Sequence, residues 1–170
     1  MKFNNDMLRL YAVTDRHWTG EQTLYEQVRD VLMGGATCLQ LREKDLDEAS
    51  FYEEAKNIKE LCRLFDVPFI INDNVMLAKE IDADGVHVGQ DDMACVKARE
   101  ILGPDKIIGV SAHTIEEARI AKEQGADYLG VGAIFPTSSK DDAEVLGIER
   151  LKEMTETIDL PMVAIGGISY

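Results

Sequence analysis

The segment FYEEAKNIKELCRLFDVPFIIND, residues 51–73, contains a helix pattern followed directly by a strand pattern. Five apolar side chains recur at offsets of 0, 4, 7, 11 and 14 residues, which places them on one helix face: Phe51, Ala55, Ile58, Cys62 and Phe65. The run over residues 68–73 is apolar until it ends in Asn72 and Asp73, as is typical of a strand buried on both faces. The segment therefore predicts a helix followed by a strand of a parallel sheet.

The same alternation of short apolar runs and amphipathic stretches extends over the whole chain. Seven runs are predicted as strands: residues 8–14, 37–42, 68–73, 85–89, 107–112, 128–134 and 162–167. Helix signals lie between them, including stops at Gly34-Gly35 and Gly103-Pro104 and a capping box over Thr114–Glu117. The runs begin about 17 to 34 residues apart, the spacing of βα units, so an α/β fold with a parallel sheet is expected.

Two parallel architectures, an open doubly wound sheet and a (β/α)8 barrel, fit this order of elements. Polar residues follow many different strands, which favours the barrel, because its βα loops all converge on one face. Only about seven βα units are present, whereas such a barrel usually has roughly 200 residues or more. We therefore expect a single TIM-type barrel domain over residues 1–170, C-terminally incomplete, in which strands one and seven are unpaired edges.

Composition restricts the class of partner. The chain has 18 basic and 32 acidic residues and a net charge of −14, which argues against nucleic acid or an anionic membrane surface. No apolar run approaches the roughly 18 residues of a membrane span, and the first residues lack the apolar core of a signal peptide. The three cysteines, at positions 38, 62 and 95, have no metal-binding spacing. They predict reduced packing thiols in a cytoplasmic protein.

The second strand ends in Gln40-Leu41-Arg42-Glu43-Lys44. Strand alternation sends Gln40, Arg42 and Lys44 to the same side. A planar guanidinium and a mobile ammonium beside an amide suit a pyrophosphate group. The alternative interpretation is a solvated loop containing a Glu43–Lys44 ion pair.

Carboxylates follow the third and fourth strands at Asp73 and Asp92. Mg²⁺ is commonly held by one or two carboxylates together with substrate phosphate oxygens and water, so the pair predicts a magnesium site. Each aspartate also directly precedes a predicted helix. An N-terminal helix cap is therefore the alternative role, and the two roles are compatible.

Strand five ends in Ser111, which can hydrogen-bond a phosphate, although a nucleophilic serine needs a partnered base that the sequence does not indicate. We interpret His113 as a loop histidine. His87, inside strand four, either lines the pocket or is a core histidine with satisfied hydrogen bonds.

The segment after strand six contains Thr137, Ser138, Ser139 and Lys140, which together predict a further anion contact. Strand seven ends in Gly166-Gly167, where backbone N–H groups can approach a phosphate. The joint placement of these groups predicts Mg²⁺-assisted chemistry on phosphorylated small molecules. No GxGxxG or P-loop motif is present, so neither a dinucleotide site nor a P-loop site is predicted.

Seven short motifs, in order along the chain, resemble thiamine-phosphate synthase: YAVTD at residues 11–15, QLREK at 40–44, IND at 71–73, DGVHVGQDD at 84–92, GADY at 125–128, FPT at 135–137 and AIGG at 164–167. The resemblance covers essentially the whole chain. It implies a TIM barrel that joins hydroxymethylpyrimidine pyrophosphate to thiazole phosphate and releases pyrophosphate, with Mg²⁺ as cofactor.

The resemblance also implies roles for individual residues. Asp73 and Asp92 would bind Mg²⁺, and the run Gln40-Leu41-Arg42-Glu43-Lys44 with Asn72 would hold the pyrimidine substrate and its pyrophosphate. Ser111 and Lys140 would contact the pyrimidine substrate or the leaving group, so that Arg42, Lys44, Ser111 and Lys140 are the catalytic candidates. Thr137, Ser138, Ser139 and Gly167 would contact the thiazole phosphate.

Two alternative functions remain open at this point. A thiazole tautomerase of the same superfamily needs no site for a pyrophosphate and a metal, so the complete QLREK run and both aspartates favour the synthase. A non-catalytic phosphate-binding homologue is the second alternative, suggested by the expected missing strand. The sequence leaves a homo-oligomer open.

Overall fold

A computed structural model of the chain describes residues 2–137 and 145–169. The strands are β1 Tyr11–Val13, β2 Cys38–Leu41, β3 Phe69–Asn72, β4 Gly85–Val88, β5 Ile107–Ala112, β6 Tyr128–Val131 and β7 Met162–Ala164. The α-helices are α1 Leu24–Met33, α2 Glu48–Leu64, α3 Val75–Glu80, α4 Cys95–Leu102, α5 Ile115–Glu123 and α6 Gly147–Thr157, with 3₁₀ helices at Asn5–Leu8 and Arg16–Trp18. The predicted alternation of strand and helix is confirmed.

The strands form one parallel sheet in chain order, and within the described residues β1 and β7 each pair on one side only. The sheet is nevertheless strongly curved. The hydroxyl oxygens of Tyr11 on β1 and Tyr128 on β6 lie 2.6 Å apart. Five strand spacings in a flat sheet would separate these strands by about 24 Å. The sheet must therefore curl into a nearly closed barrel, as expected for a TIM-type fold.

Two apolar layers lie on the two faces of the curved sheet. Outward-facing strand residues such as Leu39, Ile71 and Val86 pack against the helices in the larger cluster. A smaller cluster fills the interior and contains Met7, Cys38, Ile70, Ile107 and Tyr128. Burial on both faces explains why the strands read as continuous apolar runs.

The amphipathic pattern of α2 is confirmed at four of its five positions. Phe51, Ala55, Ile58 and Cys62 are buried, whereas Phe65 is not. The helix ends at Leu64, so Phe65 caps it and remains 39% exposed. The predicted apolar face included one residue too many, because the spacing of apolar residues continues beyond the last turn of the helix.

The capping box predicted at Thr114 is only half formed. The Thr114 hydroxyl accepts a hydrogen bond from the Glu117 N–H, which is the N-cap interaction. The Glu117 carboxylate accepts from the N–H of His113 instead of that of Thr114. A complete capping box is present at α1, between Thr23 and Glu26.

The three cysteines are buried and none forms a disulfide. Burial raises the pKa of the Cys62 thiol to about 12 and that of Cys95 to about 11. Protonated, enclosed thiols pack as small apolar groups, as predicted. Among the described residues, no helix is both long and apolar enough to cross a membrane.

Candidate active site

The loop after β2 is fixed by contacts to the loop after β1. The Thr14 hydroxyl accepts from the Arg42 N–H at 2.9 Å and donates to the Arg42 carbonyl at 3.2 Å. Arg16 pairs with Glu43 and, at 2.6 Å, with Glu54 on α2. These contacts hold the backbone that carries Arg42 and Lys44.

The Glu43–Lys44 ion pair considered as an alternative for this loop is wrong. The Glu43 side chain is only 3% exposed and faces Arg16. Its carboxylate also accepts from the backbone N–H groups of Lys44 and Asp45, at 3.0 and 3.3 Å. Leu41 is fully buried in the outer core, so its side chain is unavailable to a ligand. Substrate contacts by Leu41 and Glu43 remain predictions.

The Lys44 ammonium instead reaches Asp73, which lies after β3. Its Nζ atom is 3.0 Å from Asp73 Oδ2. Asp73 has a φ of 63°, and its N–H donates to the carbonyl of His87 at 2.8 Å. The left-handed backbone therefore turns the chain sharply where the predicted pyrophosphate and metal ligands meet.

The carboxyl groups of Asp73 and Asp92 are neighbours. An oxygen of Asp92 accepts from the Gly89 N–H at 2.7 Å, and a Cβ at position 89 would lie 2.9 Å from that oxygen. Partial desolvation and a hydrogen bond with Asp73 raise the pKa of Asp92, outweighing the Gly89 N–H and the Lys44 charge. Two carboxylates this close favour either a shared proton or a bound cation.

Neither aspartate acts as a helix cap, so that alternative is wrong. Asn74 caps α3, because its side-chain oxygen accepts from the Leu77 N–H at 2.9 Å. Ala94 precedes α4 and makes no side-chain cap. The donor set suits Mg²⁺, which takes few protein ligands and completes its shell with phosphate oxygens and water. The described part of the chain holds no cluster of three or more metal-ligating side chains.

Arg42 is a further cation at this end of the sheet. Within residues 2–137 and 145–169, no carboxylate lies within ion-pair distance of its partly buried guanidinium. Asn72, also partly buried, occupies the last position of β3, next to Asp73. Arg42 follows the same strand as Lys44, and a guanidinium can bind a phosphate oxyanion with two parallel hydrogen bonds.

A row of hydrogen-bonded side chains crosses the barrel interior between Gln40 and Ser111. Gln40 Nε2 donates to the Tyr11 hydroxyl at 2.9 Å, and Tyr11 contacts Tyr128 at 2.6 Å. The Tyr128 hydroxyl lies 3.1 Å from His87 Nδ1, and His87 Nε2 lies 2.9 Å from Ser111 Oγ. We call these five residues the interior network.

The interior network decides between the two interpretations of His87. It also corrects the expectation that Ser111 has no neighbouring base. His87 is a core histidine, 7% exposed, with a partner at each ring nitrogen. Ser111 therefore has an imidazole neighbour that the sequence did not indicate. Burial lowers the pKa of His87 to about 4, against the opposing charge of Asp92. With the Tyr128 hydroxyl, and no carboxylate, at Nδ1, the pair lacks the third member of a nucleophilic triad.

Sequence reasoning missed Tyr11 and Tyr128 as members of the site. Both lie in runs that were interpreted only as apolar strands. Strand alternation does carry a signal for Tyr11. It pairs in register with Cys38, which is two residues from Gln40, so all three side chains lie on the same face of the sheet. That alternation could have indicated that the tyrosine hydroxyl lies in the barrel interior near Gln40.

Loop contacts hold the region around Ser111. Gln90 Nε2 donates to the Ser111 carbonyl at 2.6 Å, which joins the loop after β4 to β5. His113 Nδ1 lies 3.3 Å from Glu117 on α5. His113 is thus a loop histidine held by its own helix, as predicted.

The predicted thiazole-phosphate contacts are described only in part. Ser138, Ser139 and Lys140 lie outside the described residues, and Thr137 is partly buried. Gly167 has a φ of 63°, and a Cβ there would lie 2.4 Å from the carbonyl oxygen of Pro136. Glycine is therefore required for the approach of the β7 loop to the β6 loop, whatever ligand binds there.

Comparison with known proteins identifies the family of the chain. The family model described as thiamine monophosphate synthase matches residues 10–170. The thiamine-phosphate synthases of Clostridium acetobutylicum and Desulfitobacterium hafniense are 50% and 51% identical, over 95% and 94% of this chain and 76% and 77% of theirs. The solved thiamine phosphate pyrophosphorylase from Pyrococcus furiosus superposes with a TM-score of 0.86 at 42% identity, over 97% of this chain and 78% of its own. The chain belongs to the thiamine monophosphate synthase family.

Proposed function

We propose that this chain is a Mg²⁺-dependent transferase that joins hydroxymethylpyrimidine pyrophosphate to thiazole phosphate, forming thiamine phosphate and pyrophosphate. One observation carries the proposal. In a member of this family, Arg42, Lys44, Asp73 and Asp92 follow three neighbouring strands, and Asp73 contacts both Lys44 and Asp92. Small phosphorylated substrates are its partners, and a cytoplasmic location fits them.

The cations and carboxylates would hold the pyrophosphate of the pyrimidine substrate. Arg42 would bind it through its planar guanidinium, and Lys44 would supply a second, mobile charge. Asp73 and Asp92 would hold Mg²⁺, which when bound neutralises charge on the leaving pyrophosphate. These groups act as preorganised electrostatics and need no protein nucleophile.

The remaining predicted residues divide between the two substrates. Gln40 and Ser111, at the ends of the interior network, would contact the pyrimidine with Asn72, and the backbone of Leu41 and Glu43 would complete that side. Lys140 would contact the leaving group. Thr137, Ser138, Ser139 and the N–H groups near Gly167 would bind the thiazole phosphate.

The chemistry requires one bond to break and one to form. The bond between the pyrimidine methylene carbon and oxygen breaks, and both electrons leave with pyrophosphate. The pyrimidine amino group stabilises the resulting cation, and the thiazole nitrogen then attacks the methylene carbon. Arg42 and Lys44 would stabilise the negative charge that develops on the leaving group, which supports such a dissociative step.

The tautomerase alternative is less well supported. An isomerisation of a thiazole phosphate needs no second anion site and no paired carboxylates. The contact of Lys44 with Asp73, and of Asp73 with Asp92, has no purpose in such a reaction. A non-catalytic homologue differs from the synthase only in turnover and is separated from it by the assay below.

The test is direct product formation. The purified chain is mixed with both substrates and Mg²⁺, and thiamine phosphate is quantified by chromatography with and without EDTA. We expect product that depends on the metal. Calorimetric titration with the pyrimidine pyrophosphate provides the second arm. Metal-dependent binding without product would indicate the non-catalytic homologue, and absence of metal-dependent binding would overturn the proposal.

A further inference from the structure

We propose that Tyr11, Tyr128 and His87 are positioning residues that give the interior network one direction of hydrogen bonding. The hydroxyl of Ser111 is thereby presented to the bound substrate as a donor. This inference rests on the proposed function for the identity of the substrate. Its structural part, the direction of the network, does not depend on that function.

The direction follows from the proton count of each member. The Gln40 amide nitrogen can only donate, so the Tyr11 oxygen accepts from it at 2.9 Å. The single proton of Tyr11 is then directed to the oxygen of Tyr128, 2.6 Å away, which is a stronger acceptor than the Cys38 thiol that also contacts the Tyr11 hydroxyl. Tyr128 in turn donates to the nearest remaining acceptor, which is His87 Nδ1 at 3.1 Å.

A neutral imidazole has one protonated nitrogen, so an accepting Nδ1 requires a proton on Nε2. His87 Nε2 therefore donates to Ser111 Oγ at 2.9 Å. One lone pair of the serine oxygen is used in this way, and its own proton is left to point toward a ligand acceptor. Reversal of the network would require the Tyr11 proton to go to the Cys38 thiol, which also hydrogen-bonds with Tyr11 but is a weak acceptor.

Two glycines provide the space for this arrangement. A Cβ on Gly109 of β5 would lie 2.1 Å from the Tyr128 ring and 2.5 Å from His87 Nδ1. A Cβ on Gly130 of β6 would lie 2.8 Å from His87 Cε1. Neither glycine has a positive φ. Their lack of a side chain is required by the rings of the network and not by the backbone.

The network joins two predicted pyrimidine contacts on distant strands. Gln40 lies on β2 and Ser111 on β5, so they approach a substrate from different sides of the barrel mouth. Tyr128 is 1% exposed and touches no open surface. Its effect on a substrate can therefore act only through His87 and Ser111 or through Tyr11 and Gln40.

The first test reads the tautomer of His87 in the unliganded protein. Histidine-labelled chain is examined by ¹⁵N and ¹³C nuclear magnetic resonance near pH 7.5, a condition chosen well above the pKa of His87 of about 4. We expect the tautomer protonated at Nε2, and Tyr128→Phe should convert it to a mixture because Nδ1 loses its donor. A wild-type His87 protonated at Nδ1 would overturn the proposal, whether or not the chain is a synthase.

The second test separates the two substrates by steady-state kinetics. Tyr128→Phe keeps the ring, and it should raise KM for the pyrimidine pyrophosphate about tenfold while KM for thiazole phosphate changes less than about twofold. Tyr52→Phe is the control, because it removes a tyrosine hydroxyl from a partly buried residue that packs on the outer core, outside the network. Equal changes in both KM values, or none, would contradict a positioning role.

The two failures are distinguishable. A chain that makes no thiamine phosphate would contradict the proposed function, but His87 would still report the direction of the network. In that case calorimetric binding of the pyrimidine pyrophosphate replaces KM. Thermal unfolding of Tyr128→Phe checks that the variant is folded before either result is used.

Discussion

The ammonium nitrogen of Lys44 lies 3.0 Å from a carboxylate oxygen of Asp73, across the loops that follow β2 and β3. Half of the Lys44 side chain is exposed, so the pair contributes little to stability, at most about 1 kcal/mol. In the proposed function, its role is in substrate binding. Lys44 contacts one predicted metal ligand, Asp73, and would also contact the pyrophosphate that the proposed function places beside it.

Asp92→Asn should abolish Mg²⁺-dependent turnover with little loss of fold stability. The asparagine retains an oxygen that can accept from the Gly89 N–H, but it removes the negative charge that the metal requires. We expect activity to fall at least about a hundredfold and the free energy of unfolding to change by less than about 1 kcal/mol. Activity assays over a range of Mg²⁺ concentrations and urea unfolding check both.

The neighbouring Asp91 offers a control for that variant. Asp91 is exposed in the same loop, so Asp91→Asn changes the net charge equally without altering the carboxyl pair. Equal losses of activity in both variants would refute the assignment of Asp92 as a metal ligand.

Arg42→Ala should weaken binding of the pyrimidine pyrophosphate while leaving stability nearly unchanged. Charge-assisted hydrogen bonds contribute about 1.5–3 kcal/mol, so we expect kcat/KM to fall by roughly 10- to 150-fold. Because the Arg42 guanidinium lies near no carboxylate in the described ranges, folding should lose little. Arg42→Lys should recover only part of the loss, since lysine lacks the planar fork. Stability losses above about 2 kcal/mol would indicate a structural role instead.

Strand periodicity predicted much of this site. The alternation of Gln40, Arg42 and Lys44 predicted three groups on one side of the second strand, and Gln40 does face the interior beside Tyr11. Because β2 ends at Leu41, Arg42 and Lys44 lie instead in the loop that follows it. The carboxyl ends of parallel strands meet at one face of the barrel, and from this rule alone Asp73 was expected near Asp92.

Long-range pairing could not be predicted in the same way. Glu43 binds Arg16, which is 27 residues distant in sequence, whereas the sequence pointed to its neighbour Lys44. Tyr128 and His87, 41 residues apart, meet because both are in register with Gly109 on the strand between them, which has no side chain to separate them. Local periodicity contains no information about such distances, so the interior network was missed although each of its strands was predicted.

Glu43→Gln tests whether Glu43 acts on the fold or on substrate. The carboxylate is buried against Arg16 and accepts from two backbone N–H groups. Loss of its charge leaves Arg16 with Glu54 alone, and we expect the free energy of unfolding to fall by about 1–3 kcal/mol. Urea unfolding measures this change. A variant of unchanged stability but raised KM for the pyrimidine pyrophosphate would instead support a direct substrate contact.

Stability should decrease as the pH falls from about 6.5 to 4, through the buried imidazole of His87. An unfolded histidine binds its proton near pH 6.5, but burial lowers the pKa of His87 to about 4. Between these values the unfolded chain binds more protons than the folded chain. The contribution of His87 to the free energy of unfolding is therefore complete above pH 6.5 and is lost on acidification. The expected slope from this group is at most about 1.4 kcal/mol per pH unit.

Carboxyl groups titrate in part of the same range, so the measurement must isolate His87. Urea unfolding of the wild type and of His87→Gln at pH 7, 6, 5 and 4.5, a series chosen to span the window, provides the difference. Glutamine cannot take up the proton, so the variant should show a shallower pH dependence although it is less stable at pH 7. Parallel curves would mean that His87 titrates alike in the folded and unfolded chains. In that case water would reach the His87 ring in the folded chain, although only 7% of the residue is exposed.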